Sequence, residues 1–188
     1  MKGYFGIGVE GISKAMNLGN LFRSALGFNA SFIFTVNADF NPKRALSDTA
    51  DTSGQMPLYE FADAGALLLP RGCDLVGVEL LDEADELPSF RHPRRCAYVL
   101  GPERGSLTPA MVARCDHVVR IPTKICINLA TAGAVVMYDR QLNLGRFPRR
   151  PMTPGNVPEP LPVHVAGAPK TRKTQNLARK AQNKKSTE

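Results

Sequence analysis

An α/β fold on a mainly parallel sheet is what the sequence predicts, and three observations carry that prediction. A β-α-β unit opens the chain over residues 3–36, strand-length apolar runs and helical segments keep alternating after it, and each strand runs into a loop at its C-terminal end. Parallel strands need crossover connections, and the helical segments between the runs supply them.

Residues 3–9 (GYFGIGV) read as a short buried strand, and Leu18, Leu21, Phe22, Ala25 and Leu26 follow at helical spacing. Gly27 and Asn29 supply the turn chemistry that ends this helix, and Ala30–Val36 forms the second strand. Residues 38–57 are polar and rich in Asp, Thr, Ser, Gly and Pro, which predicts a long loop with at most a helical turn over Pro42–Ser47. A helix is expected over Tyr59–Leu69, stopped by Pro70, then a strand over Asp74–Leu80 and an acidic, then basic, surface loop over Asp82–Pro93. Cys96–Leu100 reads as a strand, Thr108–Cys115 as a helix and His117–Ile121 as a strand. Asn128–Leu144, rich in Ala, Leu, Val and Met, has the clearest helical pattern, and Gly145 is placed to end it.

The chain has 188 residues, 43% of them hydrophobic, enough for one core of ordinary domain size with a modest extension. That divides it into a folded domain over residues 1–146 and a tail over residues 147–188. Seven prolines lie between Pro148 and Pro169, followed by KTRKTQNLARKAQNKKSTE, and neither part has the apolar content to bury a core, so disorder is expected there. The net charge of +7 is concentrated in the tail: residues 1–150 carry 17 Lys/Arg against 15 Asp/Glu, and residues 151–188 carry seven against two. A polyanionic partner is the simplest use of this imbalance, mere solubility the plainer one. The chain lacks a membrane-length apolar run or a secretory signal pattern, which predicts a soluble cytoplasmic protein. Cys73, Cys96, Cys115 and Cys126 form no CxxC pair, and only His92, His117 and His164 accompany them, so neither a zinc site nor a disulfide framework is expected. Packing is the default role of all four thiols.

Unusual residues gather in three loops at C-terminal strand ends, where open parallel sheets place ligands. In Asn17-Leu18-Gly19-Asn20-Leu21-Phe22-Arg23, the two amides are candidate helix caps or polar site groups, and Arg23 is either a solvated cation or a functional one. In Gly101-Pro102-Glu103-Arg104-Gly105, the glycines admit a ligand to the backbone or simply form a turn. Ile121-Pro122-Thr123-Lys124-Ile125-Cys126-Ile127-Asn128 leads into the apolar helix, with Asn128 as its cap or as a catalytic amide. Gly6-Ile7-Gly8-Val9-Glu10-Gly11 ends one residue too early for a dinucleotide-binding glycine loop.

Taken in order, NLGNLFR (Asn17–Arg23), LGPERGSL (Leu100–Leu107) and IPTKICINLA (Ile121–Ala130) resemble the three motifs of the SpoU/TrmH-type SPOUT RNA methyltransferases, over residues 3–145. The resemblance implies a C-terminal deep trefoil knot over about residues 97–145, an exception to the rule of unknotted chains. It implies S-adenosylmethionine held against Val78, Gly101, Ile121 and Cys126, with Leu129 covering the adenine and Glu103 and Gly105 shaping the pocket. It further implies that Arg23 lies near the reacting ribose 2′-hydroxyl, with Asn17 and Asn128 orienting it. A guanidinium stays protonated in ordinary settings, so a phosphate clamp suits Arg23 better than a base. Two departures mark this chain: Cys126 stands where many relatives carry Ser, and the loop from Ile121 to Asn128 is about three residues short.

The family resemblance also implies a homodimer, with the helices from Asn17 and Asn128 available for the contact. Its first motif is similar to that of enzymes acting on the tRNA wobble ribose, which favours tRNA over rRNA as the partner. Arg91, Arg94, Arg95, Arg104 and Lys124 are candidate phosphate contacts, or else ordinary solvated surface. The rival readings are a base methyltransferase of the same superfamily and a noncatalytic RNA-binding protein with this fold.

Overall fold

The computed structural model describes residues 3–39, 55–102 and 105–162. The chain divides into two units, Met1–Arg146 and Phe147–Glu188. In the second, the described residues 147–162 form turns without helix or strand, and most of their side chains are exposed.

The first unit is a seven-stranded, wholly parallel sheet. Its strands are β1 (Tyr4–Glu10), β2 (Phe32–Val36), β3 (Leu58–Phe61), β4 (Asp74–Val78), β5 (Asp85–Glu86), β6 (Arg95–Leu100) and β7 (His117–Arg120), in the spatial order β3-β2-β1-β6-β4-β7-β5. Among the described residues three α-helices with full bounds accompany them: α1 (Ala15–Gly27), the single-turn α2 (Pro109–Val112) and α3 (Leu129–Leu144). The sixth strand is thus central, with Val9 opposite Leu100 on one side and Val78 opposite Leu100 on the other.

Both sheet faces are covered, as an all-parallel sheet requires. On one face Phe5, Ile7, Val9, Tyr98 and Leu100 pack beneath α1 and α3, which contribute Leu18, Leu21, Phe22, Val136 and Met137. On the other, Phe32, Phe34, Ala97 and Val99 meet Leu67, Leu107 and Met111. Gly6 and Gly8 belong to this second face: a Cβ on Gly6 would lie 2.2 Å from the Phe32 ring, and one on Gly8 2.4 Å from the Phe34 carbonyl. These glycines of β1 make room for aromatic rings and the neighbouring backbone, which accounts for a glycine pattern that imitates a nucleotide loop. The helices touch closely where a Cβ at Gly133 of α3 would fall 2.3 Å from Leu21 Cδ1 of α1.

Buried Arg140 ties α3 to the start of β1 and β6, donating to the carbonyls of Tyr4, Pro93 and Arg94 while its guanidinium lies 5.2 Å from the centre of the Phe5 ring. Beside it, His92 bridges the Tyr98 hydroxyl (2.5 Å) and Asp139 (2.9 Å).

Three expectations need correction. Tyr59–Leu69 is not a helix: its first residues form β3, because Tyr59 and Phe61 find ring partners in Phe32 and Phe34 on the neighbouring strand (centroids 6.1 and 6.5 Å apart), and Asp63 then accepts from Ala66 N–H in a turn. Asp82–Pro93 is not merely a surface loop, since Asp85–Glu86 pairs with β7 and Leu87, Phe90 and His92 are buried. The helix expected over Thr108–Cys115 is one turn long, capped by Thr108 Oγ accepting from Met111 N–H at 3.2 Å. The remaining strands and the two long helices lie where expected to within a few residues, with Gly145 at the end of α3. The turn considered over Pro42–Ser47 lies outside the described residues.

Candidate active site

A cleft of ≈ 190 Å³ opens at the C-terminal ends of β4, β6 and β7. Val78, Leu100, Ile121 and Leu129 give it apolar walls, Gly101 and Gly105 bare backbone, and Glu79, Thr123 and Cys126 polar atoms. This is the edge at which open parallel sheets bind ligands, because the loops there are free of ladder pairing. All three motif-bearing regions meet at or beside it. Val78, Gly101, Gly105, Ile121, Cys126 and Leu129 line this one cleft, although they come from segments far apart in the chain. Glu103 and Arg104 lie outside the described residues.

The walls are held by two carboxylates that the sequence reading passed over. Glu79 Oε2 accepts from Leu107 N–H (2.8 Å) and Oε1 from Leu80 N–H (2.9 Å). Glu10, buried at the end of β1, accepts from both Thr108 N–H (2.8 Å) and Thr108 Oγ–H (2.7 Å). Together they pin the far end of the loop that begins at Gly101. An acidic residue closing an apolar strand was the only signal available, and it is a common one.

Asn128 caps α3 and at the same time reaches α1. Its Oδ1 caps α3 by accepting from Ala130 N–H (2.9 Å) and Thr131 N–H (3.4 Å), while its Nδ2 donates to Asn17 Oδ1 at 3.1 Å. Asn17 and Asn20 are not caps: α1 starts at Ala15, its N-cap is Lys14, and both amides lie inside the helix. Arg23 is exposed on α1 and does not line the cleft. It sits six residues beyond Asn17, about 9 Å further along the helix at 1.5 Å per residue.

Lys124 is exposed in the loop after β7, among cleft-lining neighbours. Arg91, Arg94 and Arg95 are exposed at the opposite edge of the sheet, separated from the cleft by the length of β6, about 20 Å at 3.3 Å per residue. They precede a strand whose other end forms the cleft, so any phosphate they touch lies away from it within a single chain.

The cysteines separate into two kinds. Cys96 is buried, and burial pushes the half-buried Cys73 and Cys115 thiols up to about 11, leaving them packing groups. Cys126 is exposed at the cleft, so packing does not describe it. Among the described residues, no group of His, Cys, Asp and Glu is arranged to hold a metal ion, and no helix is long and apolar enough to cross a membrane.

An all-parallel α/β sheet whose cleft is walled by loops following β4, β6 and β7, beside an amide bridge between two helices, defines a small-ligand-binding class of α/β protein. Residues 5–138 match the model of the SpoU rRNA Methylase family, and the chain belongs to that family. It is 26% identical over 145 residues to the mouse (Mus musculus) tRNA (guanosine(18)-2′-O)-methyltransferase TARBP1, a match spanning 71% of this chain and 9% of that much longer protein. The AdoMet-bound rRNA methyltransferase of Sinorhizobium meliloti superposes with a TM-score of 0.67 at 17% identity, covering 77% of this chain and 58% of that one. A structure described as giving insight into 2-OH methylation of C/U34 on tRNA superposes with a TM-score of 0.65 at 23% identity, covering 78% of this chain and all of the other (100%).

Proposed function

We propose that this chain transfers a methyl group from S-adenosylmethionine to a ribose 2′-hydroxyl of RNA, with tRNA as the favoured substrate. The observation that carries the reading is the convergence of Val78, Gly101, Gly105, Ile121, Cys126 and Leu129 on one cleft. The fit is chemical as well as positional: apolar walls suit an adenine, glycine backbone suits close approach by a nucleoside, and one carboxylate suits a cationic ligand. When bound, the cofactor supplies an activated methyl and its own leaving group.

The protein's task is then alignment and proton handling. Asn17 and Asn128, joined at 3.1 Å beside the cleft, orient the ribose and its neighbouring phosphate. Arg23 clamps phosphate and stabilises the oxygen as its proton departs. Because Arg23 does not line the cleft of its own chain, we further propose a homodimer in which each copy lends Arg23 to the other's site. Val135, Tyr138 and Leu142 form an exposed apolar stripe along α3 suited to that contact. The knotted threading of the family accompanies this reading. A preference for tRNA is supported by the activity named for the mouse relative and by the described tRNA enzyme structure.

The experiment is transfer of labelled methyl from S-adenosylmethionine to total tRNA and to rRNA, with mass spectrometry of the digested nucleosides. A 2′-O-methylated nucleoside from tRNA is the expected product. A base-methylated nucleoside would overturn the ribose assignment, and cofactor binding without incorporation into either RNA would favour a noncatalytic binder.

A further inference from the structure

Glu79 is the one charged side chain among the described residues that line the cleft. Its carboxylate is held in place: Leu107 N–H reaches Oε2 at 2.8 Å and Leu80 N–H reaches Oε1 at 2.9 Å. Gly101 leaves the space this arrangement needs, since a Cβ there would stand 3.1 Å from Glu79 Oε2 and 3.0 Å from Leu107 N. Among the described residues no Lys, Arg or His forms an ion pair with it. Two backbone dipoles orient the carboxylate but do not cancel its charge, so a fixed negative charge borders a cavity otherwise lined by uncharged groups.

We propose that Glu79 makes the cleft charge-selective, holding the cationic methyl donor more tightly than the neutral-sulfur product. This rests on the methyltransferase reading above. In the transfer the S–CH3 bond breaks, its electron pair stays on sulfur, an O–CH3 bond forms, and the hydroxyl proton leaves to solvent. S-adenosylmethionine thereby becomes S-adenosylhomocysteine, losing one positive charge while keeping its adenosine and amino-acid parts. A fixed carboxylate attracts the first and loses that attraction with the second, so turnover itself weakens the product's hold. Glu79 is then a cleft residue that favours product release, besides fastening the loop at Leu107.

The test is calorimetric binding of each ligand to the full chain, wild type and Glu79→Gln, with folding checked by circular dichroism. Gln keeps an acceptor for Leu107 N–H and removes the charge. The wild type is expected to bind S-adenosylmethionine about tenfold more tightly than S-adenosylhomocysteine. Glu79→Gln should erase that ratio by weakening only the former. Equal wild-type affinities, equal weakening of both ligands, or an unchanged ratio in the variant would each overturn the proposal. Should Glu79→Gln not fold, sinefungin decides on the wild type. With an amine in place of the sulfonium, it is expected to bind like the methyl donor, and binding no tighter than S-adenosylhomocysteine overturns the proposal. A wild type that binds none of the three overturns the methyltransferase reading itself, and this inference with it.

Discussion

Asn128 and Asn17 are joined by a single 3.1 Å hydrogen bond whose direction is set by a third party, the amino end of α3. Because Asn128 Oδ1 is committed to the N–H groups of Ala130 and Thr131, its Nδ2 must donate, and Asn17 must present its oxygen. Asn128→Ala should therefore cost about 1 to 2 kcal/mol of stability from the lost cap. Asn128→Asp keeps the cap and removes the donor, so its urea midpoint should stay near wild type while methyl transfer falls. Loss of both in the Asp variant would show that the bridge serves folding rather than catalysis.

Arg23→Ala should keep the fold and the cofactor affinity, because the side chain is exposed and outside the cleft. Transfer should fall by about two orders of magnitude or more, as when a charge-stabilising group is removed. Gly101→Val should fail for the opposite reason, by obstructing the cleft. Mixing the two inactive chains after mild unfolding and refolding should restore activity, since in the proposed homodimer a mixed pair rebuilds one intact site. No recovery, with mixed dimers present by mass spectrometry, would place Arg23 and the cleft in the same chain.

Gly133→Leu should destabilise the chain by about 1 to 3 kcal/mol. Its side chain would enter space occupied by buried Leu21, where even a Cβ falls 2.3 Å from Cδ1. Thermal melting checks this, and pairing it with Leu21→Ala should recover part of the loss.

His92 predicts a pH dependence of stability. Burial pushes its pKa below the usual 6.5, an effect partly opposed by the hydrogen bond and charge of Asp139 and reinforced by Arg140. Between the lowered native value and 6.5 the unfolded chain holds a proton that the folded chain does not, so stability rises with pH there. The contribution is complete above that window, declines as pH falls through it, and levels off below the native value. Urea midpoints at about pH 7.5 and about pH 5.5 should differ more in wild type than in His92→Gln. An equal difference would remove His92 as the cause.

Removing residues 147–188 should raise the KM for RNA and flatten its salt dependence, since residues 151–188 carry seven Lys/Arg against two acids. Cofactor affinity should not change.

Five of the seven strands and both long helices were readable in the sequence because their apolar periodicity and turn residues agree. Tyr59–Leu69 misled because Tyr59 and Phe61 follow no helical face: their ring partners on β2 lie across the polar residues 38–57, beyond any local window. Leu87 and Phe90 were masked by the charges around them. The cleft residues followed from the family resemblance that the three ordered motifs carry, whereas Glu10 and Glu79 did not, since a carboxylate that accepts backbone N–H groups looks like any surface acid until the loops are in place. Arg94 and Arg95 precede or open β6, and in a parallel sheet what precedes a strand stands at the end away from the ligand.

The middle place of β6 has a consequence for synthesis. Its two neighbours, β1 and β4, are both made before it, so a nascent chain ending short of Arg95 has two strands with no common partner and two unpaired edges where a gap will be filled. Such edges invite association with other chains. The sheet closes only when a late segment slots between early ones, which makes assembly slow relative to hairpin-built domains of equal size. Truncated products of this chain are accordingly the species for which a cell would need a chaperone.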